Sequence, residues 1–134
     1  MEKEETLSKK SAPIIIEQAG MRMTVDHRRS GSGDEGLTFD IVMAGAEEEK
    51  NTILRFDCFY KNPHYHIGPS GKHPVHHMKE EGIEDPVGWT LEQLKTRLPS
   101  MVTEAGYDET AKRIDQQAIA DHLRQFEPEI RAKF

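Results

Sequence analysis

Apolar and polar residues alternate along the first half of the chain and recur at three- and four-residue steps along the second. Strict alternation puts one class of side chain on each face of an extended strand, whereas the longer step marks one side of a helix. Ile14, Ile15 and Ile16 form a short β-branched run. Met21, Met23, Val25 and His27 then alternate with Arg22, Thr24, Asp26 and Arg28, which predicts a half-buried strand, with Gly20 marking a bulge or bend before it. The glycine-rich run 30–36 reads as a turn or loop. Leu37, Phe39, Ile41 and Met43 alternate with Thr38 and Asp40, the clearest strand of the chain, and Ala46 to Lys50 is a polar connection suited to a hairpin. In the strand from Thr52 to Tyr60, Leu54, Phe56, Cys58 and Tyr60 are expected to face the core. Ile53, Arg55, Asp57 and Phe59 take the other side, where Arg55 and Asp57 are placed to pair.

The second half reads as helices. Asp85-Pro86 supplies an N-cap and a proline for the first helical position, and Thr90-x-x-Gln93 offers a second start as a capping box. Leu91, Leu94, Leu98, Met101, Val102 and Ala105 make one apolar stripe that Gly106 should end. Pro99 should kink this helix, because proline removes a backbone donor. A second helix is predicted from about Glu109 to Phe126, with Ala111, Ile114, Ala118, Ile119, Leu123 and Phe126 inward and Pro128 ending or bending it. Strands followed by helices imply an α+β fold, a small antiparallel sheet of three to four strands packed against two C-terminal helices. Residues 1–12 are charged and lack apolar periodicity, so the expected organisation is a flexible tail followed by a single domain over 13–134.

Composition narrows the setting. The 134 residues are 35% hydrophobic and 31% charged, enough for one small core. No run approaches the ~20 apolar residues of a membrane span, and the start has no secretory pattern. The single cysteine, Cys58, excludes an internal disulfide, which favours a reducing, cytoplasmic home. The net charge of −6 argues against broad electrostatic capture of nucleic acid. Yet residues 51–79 carry Arg55, Lys61, Lys72 and Lys79 against Asp57 alone, a locally basic segment suited to an anionic ligand.

That segment also holds the candidate chemistry. Five of the seven histidines lie within residues 55–77, at His64, His66, His73, His76 and His77. Histidine titrates near neutrality, so such clusters serve proton transfer or metal ligation. His64 and His66, two apart, share one face of an extended backbone, at ~6–7 Å between Cα atoms. One can act as base and the other as acid across a phosphate, or both can ligate one metal with Asp57 as a third ligand. Asn62-Pro63 interrupts the strand, so parity leaves open whether the pair faces the core or a cleft. No CxxC or HExxH is present. His27 reads as a core or edge histidine, His122 as a packing residue, and Cys58 as a buried inert thiol. Tyr65 is placed either to stack on a base or to pack in the core.

Arg55-Phe56-Asp57-Cys58-Phe59, Pro63-His64-Tyr65-His66, Asp85-Pro86 and Trp89 resemble a family of small bacterial proteins with an RFDCF…PHYH signature, over roughly residues 37–106. More distantly, Arg-aromatic-Asp followed by Pro-His-x-His resembles the TumE-type toxins of toxin–antitoxin pairs, although the interval here is short. That resemblance implies Arg55, Asp57, His64 and His66 as site residues. Three expectations follow. The first is a metal-independent, ribonuclease-like enzyme acting on RNA or a nucleotide phosphodiester, with His64 and His66 as acid and base, Arg55 on the phosphate and Asp57 orienting. The second is a protein holding zinc, nickel or iron through His64, His66 and one of Asp57, His73, His76 or His77. The third is a non-catalytic interaction module, such as an antitoxin, inhibitor or accessory subunit. The partners to expect are RNA or a nucleotide, a protein such as a cognate antitoxin, or a second copy of the chain.

Overall fold

The computed structural model describes residues 12–44, 52–68 and 74–133. The expected tail (all but its last residue), the polar connection Ala46 to Lys50, and His73 fall outside the described residues. Six strands, β1 (Ile14–Gln18), β2 (Met21–Arg29), β3 (Glu35–Met43), β4 (Thr52–Phe59), β5 (His64–Ile67) and β6 (Val75–His77), form one antiparallel sheet in sequence order. Three helices follow: α1 (Pro86–Glu104), α2 (Asp108–Lys112) and α3 (Gln116–Lys133). The α+β class stands, but among the described residues the sheet has six strands rather than three to four, and three helices are present rather than two. β5 and β6 span only four and three residues, too few for alternation to register against the prolines and histidines around them.

The β-branched run is present as β1, and the three strands read from alternation are present as β2 to β4. Met21, Met23, Val25, Leu37, Phe39, Ile41, Leu54, Phe56 and Cys58 are buried and packed together with Leu91, Leu94, Leu98, Met101, Ile119 and Leu123 of the helices. Tyr60 departs from the expectation. The strand ends at Phe59, and Tyr60 lies half exposed in the following turn. Of the bulge or bend expected at Gly20, the chain takes the bend: Gln18 pairs directly with Met21, leaving Ala19 (φ 55°) and Gly20 (φ 78°) as a two-residue hairpin turn with both residues left-handed. At Gly36 a side chain is excluded, because a Cβ there would lie 2.3 Å from the Cys58 carbonyl oxygen.

Asp85 caps α1 by accepting from the Gly88 N–H (3.1 Å), and Gly106 (φ 96°) ends it, as expected. The kink ascribed to Pro99 falls at Arg97 (φ −145°, ψ 32°). The predicted second helix is two helices, split between Lys112 and Gln116, and α3 runs through Pro128 to Lys133. His122 on α3 is exposed rather than packed.

The helices cover one face of the sheet. Because the register pairs Asp57 with His64 and Arg55 with His66, the opposite face carries a polar row across five strands: Asp26, Thr38, Asp57, His64 and His77.

Candidate functional site

The turn between β4 and β5 decides where the histidines go. An odd residue paired with an even one reverses parity across the hairpin, so His64 and His66 join Arg55 and Asp57 on the open face while Tyr65 and Ile67 turn inward. Asp34 holds that turn in place. Its carboxylate accepts from the backbone N–H groups of Lys61 (3.0 Å), Asn62 (2.8 Å) and Glu35 (2.9 Å). Burial opposes its charge, but these backbone bonds outweigh it and leave the carboxyl below the usual carboxylate range.

Asp57 is 3% exposed. Its Oδ1 accepts from the Thr38 hydroxyl (3.0 Å) and the Arg28 guanidinium (3.3 Å), and its Oδ2 lies 3.1 Å from His64 Nε2. Burial raises its pKa, yet the bonds from His64 and Thr38 and the charge of Arg28 prevail, so the net shift is downward. The other ring nitrogen of His64, Nδ1, donates to the Asn62 carbonyl at 2.8 Å. With Nδ1 protonated, Nε2 meets a carboxylate, and two lone-pair bearers at that distance require a cation between them. The Asp57 bond raises the His64 pKa, with burial opposing it, which favours a proton in that place.

His66 stands beside this pair, its ring centroid 5.3 Å from that of His64 and nearly perpendicular to it. Its Nδ1 is buried without a hydrogen-bond partner. Burial, and then the charge of His64, lower its pKa, so its neutral form is favoured. One ligand atom each from Asp57, His64 and His66 lie within 4.8 Å of one another. These residues border a cleft of about 260 Å³ shared with Arg28, Ser30, Ser32, Asp34, Arg55, Phe59 and Asn62.

The other sequence candidates are distributed around this group. Arg55 makes a two-point ion pair with Asp40 of β3 (3.1 and 3.4 Å), and Asp57 reaches across to β2, β3 and β5. His77 faces His64 at 6.3 Å between centroids, with Nδ1 3.2 Å from Asn62 Oδ1. His76 is on the inner side, stacked on Tyr65 at 4.6 Å and 3.3 Å from Glu81. Tyr65 packs against Phe56 and Trp89 and donates its hydroxyl to Glu81 (2.7 Å). His27 is exposed at the end of β2, 3.6 Å from Glu35. Cys58 is fully buried, and burial pushes its thiol up to about 12, an inert group as read from the sequence.

Sequence reasoning missed Arg28, Asp34, Thr38 and Asn62. The alternation of β2 did put Arg28 on the polar side with Thr24 and Asp26. What pattern alone lacked was the strand order that brings it to Asp57.

No helix among the described residues is long and apolar enough to cross a membrane. No curated protein and no solved structure matches the chain. Residues 15–130 match a domain of unknown function, DUF7700, and that stretch holds every strand from β2 onward, all of α1 and α2, and the whole Asp57, His64 and His66 group, so the chain belongs to the DUF7700 family.

Proposed function

We propose that this protein binds one divalent transition metal through Asp57, His64 and His66, as the centre of a site that acts on a ligand in the adjoining cleft. Convergence of three such donors within 4.8 Å, from two adjacent strands, carries the reading. Two imidazoles and a carboxylate suit zinc, iron(II) or nickel, and three protein ligands leave positions open for water or substrate. The bond from His64 Nδ1 to the Asn62 carbonyl is the outer contact that fixes a ligating histidine's tautomer and leaves Nε2 for the metal. Displacing the proton between Nε2 and Asp57 exchanges one cation for another without rebuilding the site. An ion held by Asp57, His64 and His66 would lower the pKa of water at its open position toward neutrality and so would supply a nucleophile for hydrolysis.

A second reading, metal-free acid–base cleavage of RNA, is favoured by the opposite shifts of His64 and His66, the separation that assigns an acid and a base. It ranks second because both nitrogens of His64 are engaged, so donation to a substrate must first break its contact with Asp57 or Asn62.

Cobalt(II) titration of untagged protein separates them. The metal reading expects one equivalent bound with visible d–d absorption, and affinity reduced at least tenfold in His66→Ala and Asp57→Asn variants that keep the wild-type circular dichroism. Absence of binding, with labelled RNA cleaved in excess EDTA and His66→Ala inert, would replace it with the second.

A further inference from the structure

We infer that the cleft beside Asp57, His64 and His66 is a subsite for a phosphate-class oxyanion, held by Arg28, Ser30, Ser32 and Asn62. Donors and acceptors around the cleft do not balance. Two carboxylates border the cleft, and both are committed. Asp57 accepts from Thr38 and Arg28 and faces His64, while Asp34 is occupied by three backbone N–H groups. Donors remain in surplus. Arg28 spends one nitrogen on Asp57 and lies over the Phe59 ring at 6.0 Å, and its other guanidinium N–H groups have no hydrogen-bond partner among the described residues; its side chain is 45% exposed. The Ser30 and Ser32 hydroxyls bond each other at 2.7 Å, which uses one proton and leaves the second hydroxyl free to donate. Asn62 turns its side-chain oxygen to His77, so its amide N–H₂ is unspent.

An arginine fork, a serine hydroxyl and an amide converging on one cleft suit an anion with several oxygens in a tetrahedral arrangement, and Arg matches phosphate with paired N–H groups. Size limits the ligand further. At about 260 Å³ the cleft falls below the ~300–1,000 Å³ of pockets that enclose a drug-sized molecule. It admits the phosphate and the start of its ester group, and the remainder stays in solvent. Neither of the serines nor Arg28 lies in the histidine segment that the sequence marks out.

This inference rests on the metal reading for the position of the ion next to the oxyanion, but the donors themselves are independent of it. The test is ³¹P NMR of cobalt(II)-loaded protein with inorganic phosphate, phenyl phosphate and dimethyl phosphate as probes. The expected result is saturable paramagnetic broadening. Affinity should fall about tenfold in Arg28→Gln and severalfold in Ser30→Ala/Ser32→Ala, with cobalt absorption retained in the serine variant, whose side chains touch none of the three metal donors. Tighter binding of the esters than of inorganic phosphate assigns the site to a phosphate ester; the reverse assigns it to the free ion. Cobalt bound without broadening, or affinity unchanged in both variants, overturns the oxyanion site and leaves the metal reading standing. If cobalt does not bind, calorimetry with the same probes in EDTA decides. Binding weakened by the serine double variant upholds the donor wall, and no binding overturns it.

Discussion

Asp34 is a small residue with a large positional role, because three backbone N–H groups converge on its carboxylate and two of them belong to the turn that aims His64. Charge is what makes it effective, since hydrogen bonds to an ionised acceptor are stronger than those to a neutral amide. Its folded pKa is depressed, so its contribution to stability is complete above the unfolded value near 4 and is lost as pH falls through the lower folded value. Asp34→Asn keeps the shape and removes the charge, and should cost about 1–3 kcal/mol at neutral pH. Urea melts from pH 7 to pH 3 check this: the gap between wild type and variant should close as the wild-type carboxyl titrates. A gap that stays constant down to pH 3 would mean the amide bonds as well as the carboxylate. The same substitution should weaken cobalt binding, because the Asn62 carbonyl that holds His64 moves with this turn.

At the scale of elements, α1 contains a repair. Arg97 leaves helical geometry two residues before Pro99, which separates the Leu98 N–H from the Leu94 carbonyl it would otherwise bond. Gln116, the first residue of α3, inserts its side-chain amide between them. Its Oε1 accepts from Leu98 N–H (2.8 Å) and its Nε2 donates to Leu94 O (3.0 Å). One side chain thereby satisfies both groups opened by the kink and ties α3 to α1. Gln116→Leu preserves volume but leaves two backbone groups unsatisfied, at a cost of about 1–3 kcal/mol for each that water cannot reach. Gln116→Glu keeps the acceptor only and should fall between wild type and Gln116→Leu in thermal unfolding. Equal midpoints for all three would show that the break is solvated instead. Pro99 was readable as a kink because proline's missing donor is a local fact. Gln116 was not, because its partners lie 18 and 22 residues away and nothing in a glutamine distinguishes an inserted amide from an exposed one.

Across the whole molecule, the same division between local and long-range information explains how much was legible. Strand β1 follows from its β-branched run, β2 to β4 from period-two runs, and the inner stripe of α1 from its spacing, because all depend on neighbours in sequence. Asp57, His64 and His66 could be named from residue type and from an i, i+2 step. The face of Asp57 followed from alternation, but that of the two histidines could not, since it depends on the turn at 60–63 pairing an odd position with an even one. Arg28 joins them only through the order of four strands. The six-stranded meander also bears on the proposed metal. The three donors assigned to it lie on β4 and β5, next to the short edge strand β6 and three strands from the opposite edge, β1. Amides that exchange through global unfolding must slow together when any ligand binds the folded state, by RT ln(1 + [L]/Kd), or about 2.7 kcal/mol at one hundred times Kd. Amides that exchange through local opening respond only where the metal ties the opening segment. Without metal, the central amides of β3 and β4, such as those of Phe39 and Phe56, should exchange slowest, and those of β1 and β6 fastest. Zinc or cobalt should then raise protection in β5 and β6 beyond its effect on β1, and His66→Ala should abolish the difference. Equal gains at β1 and β5 would place the ion away from Asp57 and His64, because a ligand bridging β4 and β5 has no means of holding the far edge closed.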